Sequence, residues 1–407
     1  MNEMKKKIIV IGGGAAGFFA AINAAELYSD IEVVILEGSN KVLQKVKASG
    51  GGRCNVTHAC FNPKELITFY PRGEKELLGP FYQFMCGDTM EWFENRGVPL
   101  KIENDNRVFP QSNSSQTIID CFLNLVKNYG IKVLTGTRVT SIEKNNELFH
   151  IKTAQQTFEA NYVVIATGSN TNIWKIIEGL GHKIIAPVPS LFTFNIVDER
   201  IKHLPGVSVT NAEVKILNSK LVESGPVLIT HWGLSGPCIL KLSAWGAVEL
   251  AEKNYQFTIE INWIRKSFEI VLEELKKFKS NNTKKQVVLT VVFNEIPKRL
   301  WEKLVLNSSI AINQQWAQIT NKQLEYLALQ LTKCEFKVEG KSTFKDEFVT
   351  AGGVDLKEIN CKRFESKIHE NLFFAGEVLN IDAVTGGFNF QNAWTGGWIV
   401  ANSIEKK

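Results

Sequence analysis

The sequence predicts an α/β protein framed by a Rossmann-like parallel sheet with a β-meander. Three observations predict it. A short apolar strand runs directly into Gly12-x-Gly14-x-x-Gly17, and helical spacing follows over residues 15–28. A second apolar run, I-E-V-V-I-L-E at residues 31–37, completes a β-α-β unit of the parallel, buried kind. Hairpin-like strands over residues 138–167 then end on V-V-I-A-T-G, with a turn at Asn145-Asn146 between two of them.

The remaining elements follow in chain order. Residues 81–96 read as one helix ended by Gly97, and residues 116–129 as another ended by Gly130. Residues 131–134 are a strand. From about 190 to 262 the chain reads as strands throughout. Residues 264–279 form an amphipathic helix with Phe268, Val271, Leu272 and Leu275 on one face. Two or three helical segments occupy 298–333, strands resume at 334–338, and a strand near 371–377 precedes a helix over 389–404.

Length and composition bound the class. A chain of 407 residues suggests two or three domains. Its 44% hydrophobic and 22% charged residues are ordinary for a globular protein. The net charge of +5 is small, and the lysines are spread along the chain. The expected partner is therefore a small-molecule substrate, with no nucleic acid and no membrane. The apolar run at 8–25 follows three lysines, but its four glycines suit a phosphate-binding turn better than a membrane span or a leader. Seven cysteines without a C-x-x-C pair or zinc spacing fit a reducing, cytoplasmic setting.

The chemistry begins at the first turn. Gly12 permits a tight turn, Gly14 lets the backbone approach a pyrophosphate, and Gly17 lets the helix pack on the sheet; Ala15 and Ala16 supply helix N-terminal amides. Glu37 ends the second strand twenty residues past Gly17, where a carboxylate accepts hydrogen bonds from a ribose diol. A second acid after a strand and glycine, Gly376-Glu377, and a further glycine turn at Thr167-Gly168 suit a cofactor held at both ends. Together these parts fit FAD.

Six stretches, in order along nearly the whole chain, carry a resemblance: I-G-G-G-A-A-G, S-G-G-G-R-C-N at 49–55, F-P-Q-S at 109–112, T-H-W-G-L-S-G-P at 230–237, T-A-G-G-V at 350–354 and A-G-E-V-L-N-I-D-A-V-T-G-G-F-N at 375–389. The sequence resembles the BaiN/YhiN-like family of NAD(P)/FAD-dependent oxidoreductases, within the glutathione-reductase-like two-dinucleotide-binding flavoproteins. The resemblance implies a FAD-binding domain from 1–188 and 351–407. It also implies an inserted β-barrel-like domain from 189–262 and 334–350, and an inserted small helical domain from 263–333. In two places the chain departs from the family pattern: Leu43-Gln44-Lys45 stands for Gly-Arg-Lys, keeping Lys45, and R-F-E-S-K at 363–367 stands for T-M-E-S-K.

Beside this resemblance, the glycine run of Ser49, Gly50, Gly52, Arg53, Cys54 and Asn55 is a second backbone surface along the cofactor. There Arg53 offsets negative charge on the pyrophosphate or the reduced flavin. Val139 is carried over as a further cofactor contact. Gly387, Phe388 and Asn389 open a helix whose N-terminus faces developing flavin charge. Cys54 and His231 are the weak catalytic candidates, a thiolate beside Arg53 and an acid in the 230–237 loop; an inert thiol and a structural histidine are the competing roles. The expected activity is hydride transfer through FAD from NADH or NADPH, bound transiently because no second GxGxxG occurs, to a small organic acceptor. An oxygen-using amine or hydroxy-acid oxidase, and a non-catalytic FAD-binding redox protein, stay open as alternatives; a flavoprotein acting on RNA is a further rival, to which the scattered lysines give little support.

Overall fold

The computed structural model describes residues 5–343 and 349–405. The chain divides into two compact units, Met1–Val188 with Lys345–Lys407, and Pro189–Phe344. The expected boundary near residue 350 abuts residues 344–348, which lie outside the described residues.

The first unit is organised by strand β1 (Lys7–Ile11), helix α1 (Ala15–Leu27) and strand β2 (Glu32–Leu36). The sheet runs Leu372–Phe374, Tyr162–Ile165, β1, β2, Lys132–Leu134, parallel throughout, and two short antiparallel strands, Ile359–Asn360 and Glu365–Ser366, extend the Leu372 edge. Ile8 to Ile11 are buried because a strand flanks them on each side and helix α1 lies against the sheet, so the strand is apolar without alternation. Three strands, Val139–Asn145, Leu148–Thr153 and Thr157–Ala160, form the separate meander. This is an α/β Rossmann-like FAD-binding fold.

Helix α1 is buried from Ala16 to Ala24, nearly all round. It is pressed between the sheet and the C-terminal helix, Phe388–Ser403. Gly397 permits that approach: a Cβ there would lie 2.9 Å from the Ala16 carbonyl oxygen. Beneath them Phe19, Trp92, Phe93, Phe122 and Trp394 pack with ring centroids 4.5–6.5 Å apart. The run at 8–25 is thus a strand, a turn and most of a helix. Among the described residues no helix is long and apolar enough to cross a membrane.

The single helix expected over 81–96 is two, Glu74–Phe81 and Cys86–Glu94. The Asp88 carboxylate accepts from the Met85 amide at 2.7 Å and starts the second helix afresh.

The second unit holds a seven-stranded antiparallel sheet in the order Cys334–Glu339, Gln256–Asn262, Ser208–Ile216, Val222–Ile229, Gly233–Ser235, Thr193–Asn195, Lys341–Ser342. Its two outermost strands are separated in the chain by Gly340 alone, so the sheet curls back on itself. The stretch read as strands throughout contains two helices, Pro237–Trp245 and Ala247–Glu252. Pro237 at the first helical position, after Gly236, is the start signal that the strand-like flanks masked. One core joins strand residues such as Val214 and Ile259 to helix residues such as Leu275, Trp301 and Leu327.

Candidate cofactor site

Two glycines of the first turn are required by the protein's own packing. Gly12 has φ +114°, and a Cβ there would run into the Ala166 carbonyl; one at Gly17 would run into the Gly12 carbonyl. Gly14 is different. Its φ is −92°, and no heavy atom lies within 4 Å of where its Cβ would be. Helix α1 therefore begins at Gly14 facing open space, with no side chain capping the amides that follow and no acid in its first turn.

Glu37 is held by the backbone. Its Oε2 accepts from the Gly13 amide and its Oε1 from the Ser39 amide, each at 2.7 Å. Each oxygen keeps acceptor capacity for a diol. The chain leading into the meander lies against the same turn, with the Gly136 and Thr137 amides donating to Ser39 and Glu37 carbonyls at 2.8 Å. Val139, two residues on, is buried.

The glycine run is a kinked helix end within Gln44–Gly52. Gly50, Gly51 and Gly52 take φ of 58°, 68° and 83° in succession, and Gly51 and Gly52 have nothing within 4 Å of a would-be Cβ. Leu43, in the place of the family's glycine, also has positive φ, 57°. Arg53 is engaged by the protein: its Nη1 lies 2.7 Å from Glu103 Oε1 and its guanidinium 3.9 Å from the Phe109 ring centroid. Any charge it offers a ligand is shared with Glu103. Cys54 is fully buried, and burial pushes its thiol up to about 12, partly opposed by a hydrogen bond with Ser49. A thiol so placed is not a thiolate at neutral pH, so the inert role is the one the geometry supports.

Glu377 gathers several separate segments. Lys45 pairs with its Oε2 at 2.5 Å, the Thr350 amide donates to its Oε1 at 2.9 Å, and a Cβ on Gly168 would lie 3.5 Å from its Oε2. A Cβ on Gly376 would sit 3.1 Å from the Ala16 side chain, so this strand end adjoins the start of α1. At the other end of the run, Asn55 Oδ1 would be 2.9 Å from a Cβ on Gly387. Gly387 caps the C-terminal helix at φ +96°. Asn389 pins the preceding loop, exchanging two 3.0 Å hydrogen bonds with the Ala383 backbone. The Phe388 ring stacks on Phe69, centroids 4.3 Å apart, and lies 4.5 Å from His58.

Buried polar atoms without partners are costly, which makes their placement informative. Among the described residues such atoms are Thr167 Oγ1, Thr350 Oγ1, Asn55 Oδ1, Asn392 Oδ1 and Arg363 Nε in this unit, and Trp263 Nε1 and Trp316 Nε1 in the other. Thr167 and Thr350 flank the Glu377 cluster, and Asn55 faces the Gly387 cap. Open cradles at Gly14 and Gly51–Gly52 with unpaired acceptors and hydroxyls between them fit an extended, polar dinucleotide such as FAD.

Sequence reasoning missed several residues of this region. Glu103 and Phe109 clamp Arg53; only Phe109 fell in a recognised stretch, F-P-Q-S. His58 carries its Nδ1 3.2 Å from the Gly386 carbonyl, and burial pushes its pKa down. Arg72 forms a bidentate ion pair with the fully buried Asp382. His231 belongs to the other unit, where it lies exposed on the bend between Val222–Ile229 and Gly233–Ser235.

Residues 6–403 match the family described as HI0933-like protein Rossmann domain. The chain belongs to that family. Its members are FAD-dependent oxidoreductases, and the family resemblance seen in the sequence is borne out. Among curated relatives, a 3-dehydro-bile acid delta(4,6)-reductase of Clostridium scindens is 27% identical over 97% of each chain. Two ribosomal RNA dihydrouridine synthases are similar as well: that of Haemophilus influenzae at 28% over all of both chains, and that of Escherichia coli at 27% over 96% of each. The fold is shared with a flavocytochrome c3 fumarate reductase (TM-score 0.50, 14% identity, 98% of this chain and 79% of that one) and a 3-ketosteroid-Δ4-(5α)-dehydrogenase from Rhodococcus jostii (TM-score 0.50, 12% identity, 98% of both).

These relatives correct one expectation. Excluding nucleic acid as a partner does not stand, because two family members of matching length act on ribosomal RNA. A net charge summed over 407 residues averages away any one face, which is why it misled.

Proposed function

We propose that this protein is a FAD-dependent reductase that saturates a carbon–carbon double bond conjugated to a carbonyl, in a uridine base of ribosomal RNA, with NADH or NADPH as the source of hydride. Two features support the reading together. The chain holds two side-chain-free backbone surfaces bordered by unpaired buried polar atoms, and the activities of its full-length relatives share one kind of bond. Dihydrouridine is uridine with two hydrogens added across a ring double bond next to a carbonyl. A 3-dehydro-Δ4 bile acid carries a double bond conjugated to its ketone. In each case hydride adds at the carbon β to the carbonyl, charge moves to the carbonyl oxygen, and a proton then completes the α carbon.

FAD, when bound, supplies the two-electron carrier between the nicotinamide and the substrate. The chain's own groups do the rest. The α1 N-terminus and Gly14 hold the pyrophosphate, Glu37 accepts the ribose hydroxyls, and Lys45 with Glu377 fixes the strand end beside them. The N-terminus of Phe388–Ser403, capped by Gly387 with no side-chain hydrogen bond, would offer its amides and partial positive charge to the anionic form of the reduced cofactor.

The test is a titration of the purified, flavin-loaded protein, made anaerobically with NADH and then NADPH. Protein-free ribosomal RNA is added afterwards, and its nucleosides are analysed by mass. Bleaching of the flavin bands, their return on adding RNA, and uridine heavier by two hydrogens are the expected results. Absence of flavin after reconstitution would overturn the cofactor assignment. Reduction by an amine or hydroxy acid with peroxide release, and none by NAD(P)H, would replace the reductase with an oxidase.

A further inference from the structure

The net charge of the chain sits in one place. Pro189–Phe344 carries 20 Lys and Arg against 15 Asp and Glu, whereas the other unit carries 27 of each. Within Pro189–Phe344 the helix-rich residues 263–333 hold 12 cations against 6 acids, and the strand-rich remainder holds 8 against 9. The excess is therefore confined to the helical part.

Folding concentrates it further. Residues 275–294 contain five lysines and no acid, and residues 303–324 contain two lysines and no acid. These two acid-free segments lie side by side. The Val287 amide donates to the Gln314 carbonyl, Trp316 to Lys285 and Ala317 to Thr283, each at 3.0 Å, and Lys279 Nζ donates to the Ile319 carbonyl at 2.5 Å. Together they carry Lys276, Lys277, Lys284, Lys285 and Lys322 to the surface, all exposed, and none of the five makes an ion pair with a described residue. Between them stand uncharged hydrogen-bonding side chains, Asn281, Thr283, Gln315 and Gln318, likewise exposed. Tyr326, 51% exposed, is one turn beyond Lys322 on the same helix, Asn321–Thr332. Glu273 and Glu325 are the exposed acids at its edges.

Helix stability explains only part of this. Lysines in the last turns of Phe268–Asn281 complement the helix dipole. Lys284 and Lys285 lie past the helix end. Lys322 lies in the first turn of its helix, where a cation is disfavoured, and no acid accompanies it there.

We propose that the face formed by residues 276–285 and 314–326 binds the phosphate backbone of RNA, with Tyr326 as a stacking surface for an unpaired base. This rests on the reading of the substrate as RNA and adds the surface that would hold it. Lysines clustered with neutral amides and an exposed aromatic suit phosphate contact without sequence readout.

The experiment compares the flavin-loaded full chain with K276E/K277E/K284E/K285E and, separately, with K322E/Y326A. Binding of a fluorescein-labelled RNA hairpin is followed by anisotropy over a series of salt concentrations. Flavin content, the melting temperature and the rate of flavin bleaching by the effective nicotinamide report on the integrity of the other unit. We expect both variants to keep those three properties. The quadruple variant should bind about ten-fold or more weakly at low salt, with a log K against log salt slope shallower by about 2–4. Should the quadruple variant misfold, K276Q/K277Q must show a smaller loss in the same direction. If the parent binds RNA and all variants bind equally, the face is wrong and the RNA reading survives. If the parent itself does not bind RNA, both fall.

Discussion

The two units use glycine and charge in opposite ways. The unit around β1 holds 24 of the 30 glycines and has no net charge; Pro189–Phe344 holds six glycines and the whole surplus of five positive charges. In the first unit, backbone is brought against backbone or left bare, at Gly12, Gly14, Gly17 and Gly50–Gly52. In the second, a continuous side-chain core supports a surface on which charge is free to accumulate. A cofactor read by amides demands glycine at fixed spacing. A polyanion read by lysines demands only that acids stay away.

The largest expected effects separate glycines the fold needs from a glycine the ligand needs. Gly12→Val should give no folded protein, because its Cβ meets the Ala166 backbone in a left-handed conformation. Gly14→Val should fold with an almost unchanged melting temperature of the flavin-free protein yet carry no flavin, because no protein atom lies within 4 Å of its would-be Cβ and the proposed pyrophosphate would need that space. Measuring melting temperature and flavin-to-protein ratio on both variants decides this. A Gly14→Val protein with full flavin would break the contrast at its centre.

A second prediction sets one ion pair from each unit against the other. Asp382 is wholly buried against Arg72, so Arg72→Ala removes the ion-pair cation from a buried carboxylate and should cost about 3–5 kcal/mol in denaturant unfolding. Arg200 pairs with Asp198 at 2.7 Å and lies over the Phe336 ring, but Asp198 keeps 24% of its surface in water. Arg200→Ala should therefore cost less, about 1–3 kcal/mol. Equal losses would mean that burial of the carboxylate is not what distinguishes the two.

What was legible in the sequence follows the same division. The β-α-β start, the strand leading to Gly168 and the return strand leading to Glu377 were readable because backbone recognition fixes residue type and spacing locally. Helices inside the strand-rich stretch at 237–252 were not, since Pro237 signals a helix start only when the flanking strands are already known. Arg53 was readable as a cation, but Glu103, fifty residues on, was not readable as its partner. Nor was the basic face, because its two halves, 276–285 and 314–326, each look like an ordinary polar surface until hydrogen bonds lay them together.

The smallest expected effect concerns acid. His182 is buried in the first unit, its Nδ1 3.1 Å from Glu358 Oε2 and its Nε2 2.9 Å from Ser366 Oγ. Burial pushes its pKa below the ordinary 6.5, against the pull of Glu358, and the nearby His369 lowers it further. The neutral ring donates to Glu358 and accepts from the Ser366 hydroxyl, whose oxygen already accepts from the Ile368 and His369 amides. Protonation would set a second N–H against that oxygen. The Lys183 amide, also donating to Glu358, leaves that carboxylate less able to compensate. Because the folded pKa is the lower one, the unfolded chain binds more protons, and stability present above about pH 6.5 is lost as the pH falls. His58, whose pKa is also lowered by burial, contributes with the same sign. His182→Gln should lower stability at neutral pH yet flatten its decline between about pH 7 and 5. A slope unchanged in His182→Gln but flattened in His58→Gln would move the acid sensitivity from the Glu358–Ser366 pair to the Gly386 loop at the cofactor site.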